Sequence, residues 1–259
     1  MNKVDIDNNF YVATYEMGAQ RTPVPTWASK VDNPLLLNTI TGTKTKKKTI
    51  SLVPACFQIK DVLNTQECAN FIRTTEILEY CEDASVSLPR TVRQNENLVW
   101  VVDENTHDII WQRIQHIFDN FGTTYDGEKA VGLNRRFRFY KYNKGDFFKP
   151  HTDGAWPGSG VVDKKLVSDL YPDRFSRMTF LLLLNDNFIG GETAFYVDKN
   201  DASKPAKRTE DVKIEEIRTP IGSALCFPHG EHPLHALHGS REILSGVKYI
   251  IRTDVLFEI

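Results

Sequence analysis

The sequence predicts an α+β fold, with two amphipathic helices in the first half and an all-β sandwich or barrel in the second. Three observations lead there. Apolar residues recur at helical spacing in two stretches between about 64 and 122. From about 130 the pattern changes to alternation and to short continuous apolar runs. Gly, Pro, Asn and Asp turn signals separate those runs, as in sheets built from many short strands. No internal repeat is present.

Residues 1–50 read differently from the rest. They are rich in Thr, Asn, Pro and Lys and end in the basic run TGTKTKKKT at 41–49. They are expected to form an N-terminal extension, a flexible or docking arm, ahead of a domain at 51–259. Asn64-Thr65-Gln66-Glu67 has the form of a capping box, followed by Cys68, Phe71, Ile72, Thr75 and Leu78 on one helical face. A second helix is expected from about Asn105, with Ile110, Trp111, Ile114, Ile117, Phe118 and Phe121 as its apolar stripe and Gly122 as its end. Strands are expected at RRFRFYKYN (135–143), RMTFLLLLN (177–185), ETAFYV (192–197), VKIEEIRTP (212–220), SALCFPH (223–229) and VKYIIRTDVLFEI (247–259).

Composition narrows the function. A formal charge of −2 on 259 residues argues against a surface for non-specific nucleic-acid binding. No apolar stretch approaches the roughly 18 residues of a membrane span, and the first residues lack the apolar core of a signal peptide. Four cysteines without a CxxC pair fit free thiols in a reducing compartment, so a cytoplasmic location is expected.

Three features carry chemistry. His151-Thr152-Asp153 follows a strand and the turn Asn143-Lys144-Gly145-Asp146; on an extended chain residues i and i+2 share a face and can converge on one metal. A histidine-rich stretch supplies His229, His232, His235 and His238, in a loop context set by Pro228 and Pro233. Lys248 stands ten residues beyond His238 in the frame H-x7-G-x-K, with Gly246. A buried lysine there needs either a protein carboxylate or an anionic ligand. Two histidines and one carboxylate leave open coordination positions, the donor set of non-haem Fe(II) oxygenases. The slight positive charge of such a centre favours an anionic chelator.

At this point the sequence resembles the 2-oxoglutarate/Fe(II)-dependent dioxygenases, in their prolyl 4-hydroxylase-like branch. The matching blocks are YNKGDFFKPHTD (142–153), LNDNFIGGETAF (184–195), PIGSALCF (220–227) and HGSREILSGVKYIIRTD (238–254), in order and spacing over about 133–257. The resemblance implies a double-stranded β-helix, or jelly roll, with supporting N-terminal helices. It also implies Fe(II) on His151, Asp153 and His238, with Lys248 on the distal carboxylate of 2-oxoglutarate. Tyr142 and Thr179 match residues that line the cosubstrate pocket, and Gly190-Gly191 is expected to make a tight structural turn. Leu182 or Leu183 stands where oxygen-sensing prolyl hydroxylases carry a tyrosine, and Lys248 where they carry an arginine.

The implied reaction consumes O2 and 2-oxoglutarate, supported by ascorbate, and hydroxylates a C–H bond with release of succinate and CO2. Asp153 favours hydroxylation, because related halogenases lack that carboxylate. The expected substrate is a prolyl or other peptide side chain, with a small free metabolite as the alternative and a non-catalytic metal-binding module as a third reading. Arg93 and Asn95, in the lead-in RTVRQNENLVWVVDE (90–104), are candidate substrate contacts, as is Trp156. Arg252 is expected either to neutralise a second carboxylate or to pair with an acidic neighbour. The stretch 154–176, with Gly154, Pro157, Gly158 and Gly160, is expected to be a loop that closes over substrate.

Overall fold

The computed structural model describes residues 8–39, 45–85, 88–118, 128–201, 203–206 and 208–259. The chain opens with β1 (Phe10–Met17), β2 (Pro23–Ser29), β3 (Lys46–Thr49) and β4 (Phe57–Lys60). Helix α1 (Thr65–Leu78) follows, then β5 (Arg93–Gln94), β6 (Glu96–Val101) and helix α2 (Glu104–Phe118). The rest is β-structure. It begins with β7 (Ala130–Leu133), β8 (Arg136–Tyr142), β9 (Phe147–His151), β10 (Pro157–Val162), β11 (Lys165–Leu183) and β12 (Ile189–Gly190). It ends with β13 (Thr193–Asp198), β14 (Val212–Ile217), β15 (Ala224–Pro228), β16 (Leu237–Ser240), β17 (Ile243–Ser245) and β18 (Lys248–Glu258).

Eleven strands form one sheet with the path β1-β2-β6-β8-β18-β11-β15-β4-β3, to which β7 and β10 attach. Five form a second sheet, β14-β13-β16-β9-β5. The alternation of side chains places the two cores. On one face of the large sheet Phe137, Phe139, Met178, Phe180, Leu182, Ile251 and Val255 pack with Cys68 and Phe71 of α1 and Ile110 and Ile114 of α2. On the other face Tyr140, Tyr142, Leu181, Leu183, Leu225, Phe227 and Ile250 meet Phe195 and Val197 of the small sheet. Strand segments covered on both faces read as apolar runs, as in Met178–Leu183 of β11 and in β15, whereas β18 interrupts its run with the buried Arg252, Thr253 and Asp254.

The helix starts are built as the sequence spells them. Asn64 accepts from the Glu67 amide and the Glu67 carboxylate accepts from the Asn64 amide, both orphan donors of the first turn thereby satisfied. Asp103 caps α2 by accepting from the Thr106 amide at 2.8 Å. Phe121 and Gly122, expected to finish that helix, lie outside the described residues, as do residues 40–44 of the basic run.

Two expectations are corrected. The described part of residues 1–50, 8–39 and 45–50, does not stand apart: β1 and β2 extend the large sheet, β2 running parallel to β6, and Phe10, Val24 and Ala28 are buried. Their mixed pattern of exposure hides the alternation that marks a strand. The stretch 154–176 is no long loop either. β10 and β11 form a hairpin whose two-residue turn, Asp163-Lys164, has both residues at positive φ, 47° and 63°. Its Gly and Pro content reads as loop, yet only 152–156 lacks strand structure.

Candidate active site

His151 ends β9 and His238 lies on β16, and the two are direct cross-strand partners in the small sheet. Their ring centroids are 4.3 Å apart, and Phe148 stacks on His151 at 3.5 Å. Asp153, just beyond the strand end, brings Oδ1 to 3.7 Å from His151 Nε2 and Oδ2 to 3.7 Å from His238 Nε2. One donor atom from each residue lies within 4.8 Å of the others.

These groups fit a divalent metal. Each histidine Nδ1 faces a backbone carbonyl at 2.9 Å, Lys149 O for His151 and Ala236 O for His238. Nδ1 must therefore carry the proton and donate, which leaves the Nε2 lone pairs facing the centre. Burial, together with the neighbouring His151, pushes His238 down to about 4, so its imidazole is neutral and able to ligate. Burial opposes ionisation of Asp153, yet Arg252 and the two histidines hold its carboxyl well below the usual range.

A polar chain fixes the carboxylate from behind. Thr179 Oγ1 donates to Asp153 Oδ2 at 2.7 Å and lies 2.9 Å from His229 Nδ1. Because the hydroxyl has one proton, His229 Nδ1–H donates to Thr179. His229 Nε2 then accepts from Ser176 Oγ at 2.9 Å, and Ser176 in turn accepts the Trp156 amide at 2.7 Å. Every donor in this line has one acceptor, so the orientation of Asp153 is specified down to the backbone of residue 156. Thr179, expected at the cosubstrate, lines the cavity and also donates to Asp153.

Lys248 is fully buried on β18, opposite Tyr142 of β8. Its ammonium donates to Gly191 O at 2.6 Å and Ser240 Oγ at 3.2 Å and lies 5.4 Å from the Tyr142 ring centroid. Among the described residues no carboxylate stands within ion-pair distance of it. Burial first, then Arg218, pull it down to about 7 against the pull of Glu192. Gly191 makes the seat possible: at φ +69°, a Cβ there would stand 2.3 Å from Ile243 Cδ1 and 3.3 Å from Lys248 Cδ.

A cavity of about 240 Å³ joins these groups, with His151, Asp153 and His238 on one wall and Tyr142, Thr179 and Lys248 on the others. Arg93 and Trp156 also line it, whereas Asn95 is buried beside it, its amide donating to Glu96 O and Asn97 Oδ1. Leu88 and Arg93 also line a separate, smaller hollow with Glu82, Asp83, Arg90 and Asn95. Arg252 ion-pairs with Asp254 at 3.0 Å and Asp153 at 3.5 Å. Three participants escaped the sequence reading: Arg138, Asp254 and His229. Arg138 shares the inward alternation of Tyr140 and Tyr142, a signal that was available; nothing local distinguishes His229 from His232 and His235.

No protein-family model and no curated protein matches this sequence. Solved structures do. A prolyl hydroxylase from Trichoplax adhaerens, in complex with a hypoxia inducible factor oxygen degradation domain peptide fragment, superposes with a TM-score of 0.51 at 14% identity, over 79% of this chain and 84% of that one. A viral collagen prolyl hydroxylase from Paramecium bursaria Chlorella virus-1, in its 2OG complex, gives 0.48 at 15% identity, over 82% of this chain and 100% of the other. A Pseudomonas putida prolyl-4-hydroxylase gives 0.49 at 14%, over 80% and 94%. The resemblance read in the motifs is met at the level of fold by the Trichoplax structure.

Proposed function

We propose that this chain is an Fe(II)- and 2-oxoglutarate-dependent oxygenase with a jelly-roll core, hydroxylating a C–H bond of a prolyl or other peptide side chain. The observation that carries the proposal is Lys248, a buried cation with no described carboxylate partner, on the wall of a cavity that also holds a two-histidine, one-carboxylate cluster. A metal-binding module has no use for such a lysine; a dicarboxylate cosubstrate explains it.

When bound, iron and 2-oxoglutarate supply the oxidising chemistry, with succinate and CO2 as co-products. His151, Asp153 and His238 hold the metal, and the Thr179-His229-Ser176 line keeps Asp153 in its ligating orientation. Lys248 pairs with the distal carboxylate, while Tyr142 and Phe188 exclude water around that ion pair. Burial keeps the Tyr142 phenol protonated at any working pH.

The test is succinate formation by anaerobically purified protein given Fe(II), 2-oxoglutarate and O2. Slow substrate-free turnover is expected, abolished in His151→Ala, with a raised 2-oxoglutarate requirement in Lys248→Ala. Absence of both succinate and Fe(II)-dependent 2-oxoglutarate binding would return the chain to the metal-binding module.

A further inference from the structure

The positive charge of the cavity is not used up by the reading above. Setting Arg93 aside, three cations line it, Arg138, Lys248 and Arg252. Two carboxylates face them, Asp153 and the fully buried Asp254. A divalent metal and a doubly charged cosubstrate cancel each other, so a surplus of positive charge persists after both are bound. A buried surplus of this kind is costly unless an anion meets it.

The surplus is placed away from the cosubstrate. Arg138 and Arg252 are register partners on β8 and β18, four residues along the strand from the Tyr142–Lys248 pair. At a rise of ~3.3 Å per residue the Cα positions of the two pairs stand about 13 Å apart, so the arginine pair sits farther along the cavity than the lysine. Arg252 faces two carboxylates, Asp254 at 3.0 Å and Asp153 at 3.5 Å, and Arg138 faces one, Asp254 at 3.4 Å. A guanidinium has five N–H donors, and the one protein hydrogen bond of Arg138 among the described residues is a long 3.4 Å contact to Asp254. Arg138 lines the cavity, and the Trp156 ring lies 5.3 Å from its guanidinium carbon. Burial and the adjacent Arg252 pull Arg138 down to about 10, which still leaves it charged at neutral pH.

We propose that the substrate carries a carboxylate that docks on Arg138, with Trp156 flanking the apolar part next to it. This rests on the oxygenase reading, which places 2-oxoglutarate at the Lys248 end. The carboxylate has two sources: the main-chain acid of a free amino acid, or an acidic side chain or C-terminus of a peptide.

The experiment compares acid and amide forms of one scaffold: L-proline with L-prolinamide, Ala-Pro with Ala-Pro-amide, and N-acetylated peptide amides containing Pro-Glu with the same peptides containing Pro-Gln. Two readouts are taken on the full chain. Binding is followed by tryptophan fluorescence, anaerobically with Mn(II) and 2-oxoglutarate, and stimulation by succinate release with Fe(II) and O2. The acid of at least one pair is expected to bind about tenfold or more tightly than its amide, and Arg138→Gln to reduce that ratio to near one. Free proline leading identifies the amino-acid source, and the peptides leading identify the peptide source. Equal response to acid and amide in every pair, including none from either, overturns the proposal, as does a preference that survives Arg138→Gln. Loss of 2-oxoglutarate binding itself, measured first without substrate, would instead overturn the oxygenase reading.

Discussion

Lys248 keeps its charge only against the cost of burial, which is the main reason it falls to about 7. A bound carboxylate pairs with the ammonium and not with the amine. Binding of 2-oxoglutarate, measured anaerobically with Mn(II), should therefore take up a proton above about pH 7, its Kd rising toward tenfold per pH unit. The binding heat should differ between buffers of different ionisation enthalpy. Lys248→Met should flatten the pH slope and weaken binding by about 100-fold. A Kd constant from pH 6.5 to 8.5 in the unaltered protein would remove Lys248 from the cosubstrate site. The ligand-free protein shows the mirror effect: the unfolded chain holds this proton up to about 10.5 while the folded one releases it near 7, so stability rises with pH across that window.

At the scale of elements, the β10–β11 hairpin shows what a sequence hides. Val162 pairs with Lys165, so two residues make the whole turn, and both take the left-handed conformation that Asn-Gly adopts most readily. The Asp163→Asn, Lys164→Gly double variant should stabilise the protein by about 1 kcal/mol in urea unfolding, with succinate formation unchanged. Destabilisation would show that the turn has another form. Elements whose cause is local were legible. The capping box at Asn64 and the two-faced apolar runs of β15 and the end of β11 need only near neighbours in sequence. The triad and Lys248 were legible because their spacing is tied to particular strands. The hairpin was not, because Gly158 and Gly160 look like loop until Tyr171 and Leu170 come to cover them: a Cβ on Gly158 would stand 2.9 Å from the Tyr171 ring, and one on Gly160 2.3 Å from Leu170 Cδ2. Arg138 and His229 were missed for a similar reason, since their partners Asp254 and Thr179 are distant in sequence and meet them only in the folded sheet.

For the whole molecule the open question of organisation is the first fifty residues. Trp100 of β6 is fully buried, and its cover comes from this segment: Phe10 meets it edge-on at 5.0 Å, Trp27 is its strand partner, and Ser29 Oγ accepts from its indole at 3.0 Å. Arg113 of α2, paired with Glu67 through two hydrogen bonds, also donates to Asn38 O at 2.6 Å, so the segment is tied to both helices. The turn after β1 is held too, because Asp83 accepts from the Ala19 and Gln20 amides in the small hollow that shares Leu88 and Arg93 with the cavity. A chain beginning at residue 51 would expose Trp100, leave β6 as an open edge and lose the burial of Phe10, Val24, Leu35 and Leu37. At ~1.5–3 kcal/mol for each large side chain, that loss is comparable with the whole stability of a domain, about 5–15 kcal/mol. Such a chain should lack a cooperative urea transition and self-associate in size-exclusion chromatography. A monomeric truncation with an unchanged midpoint would instead make residues 1–50 the detachable arm that their composition first indicates.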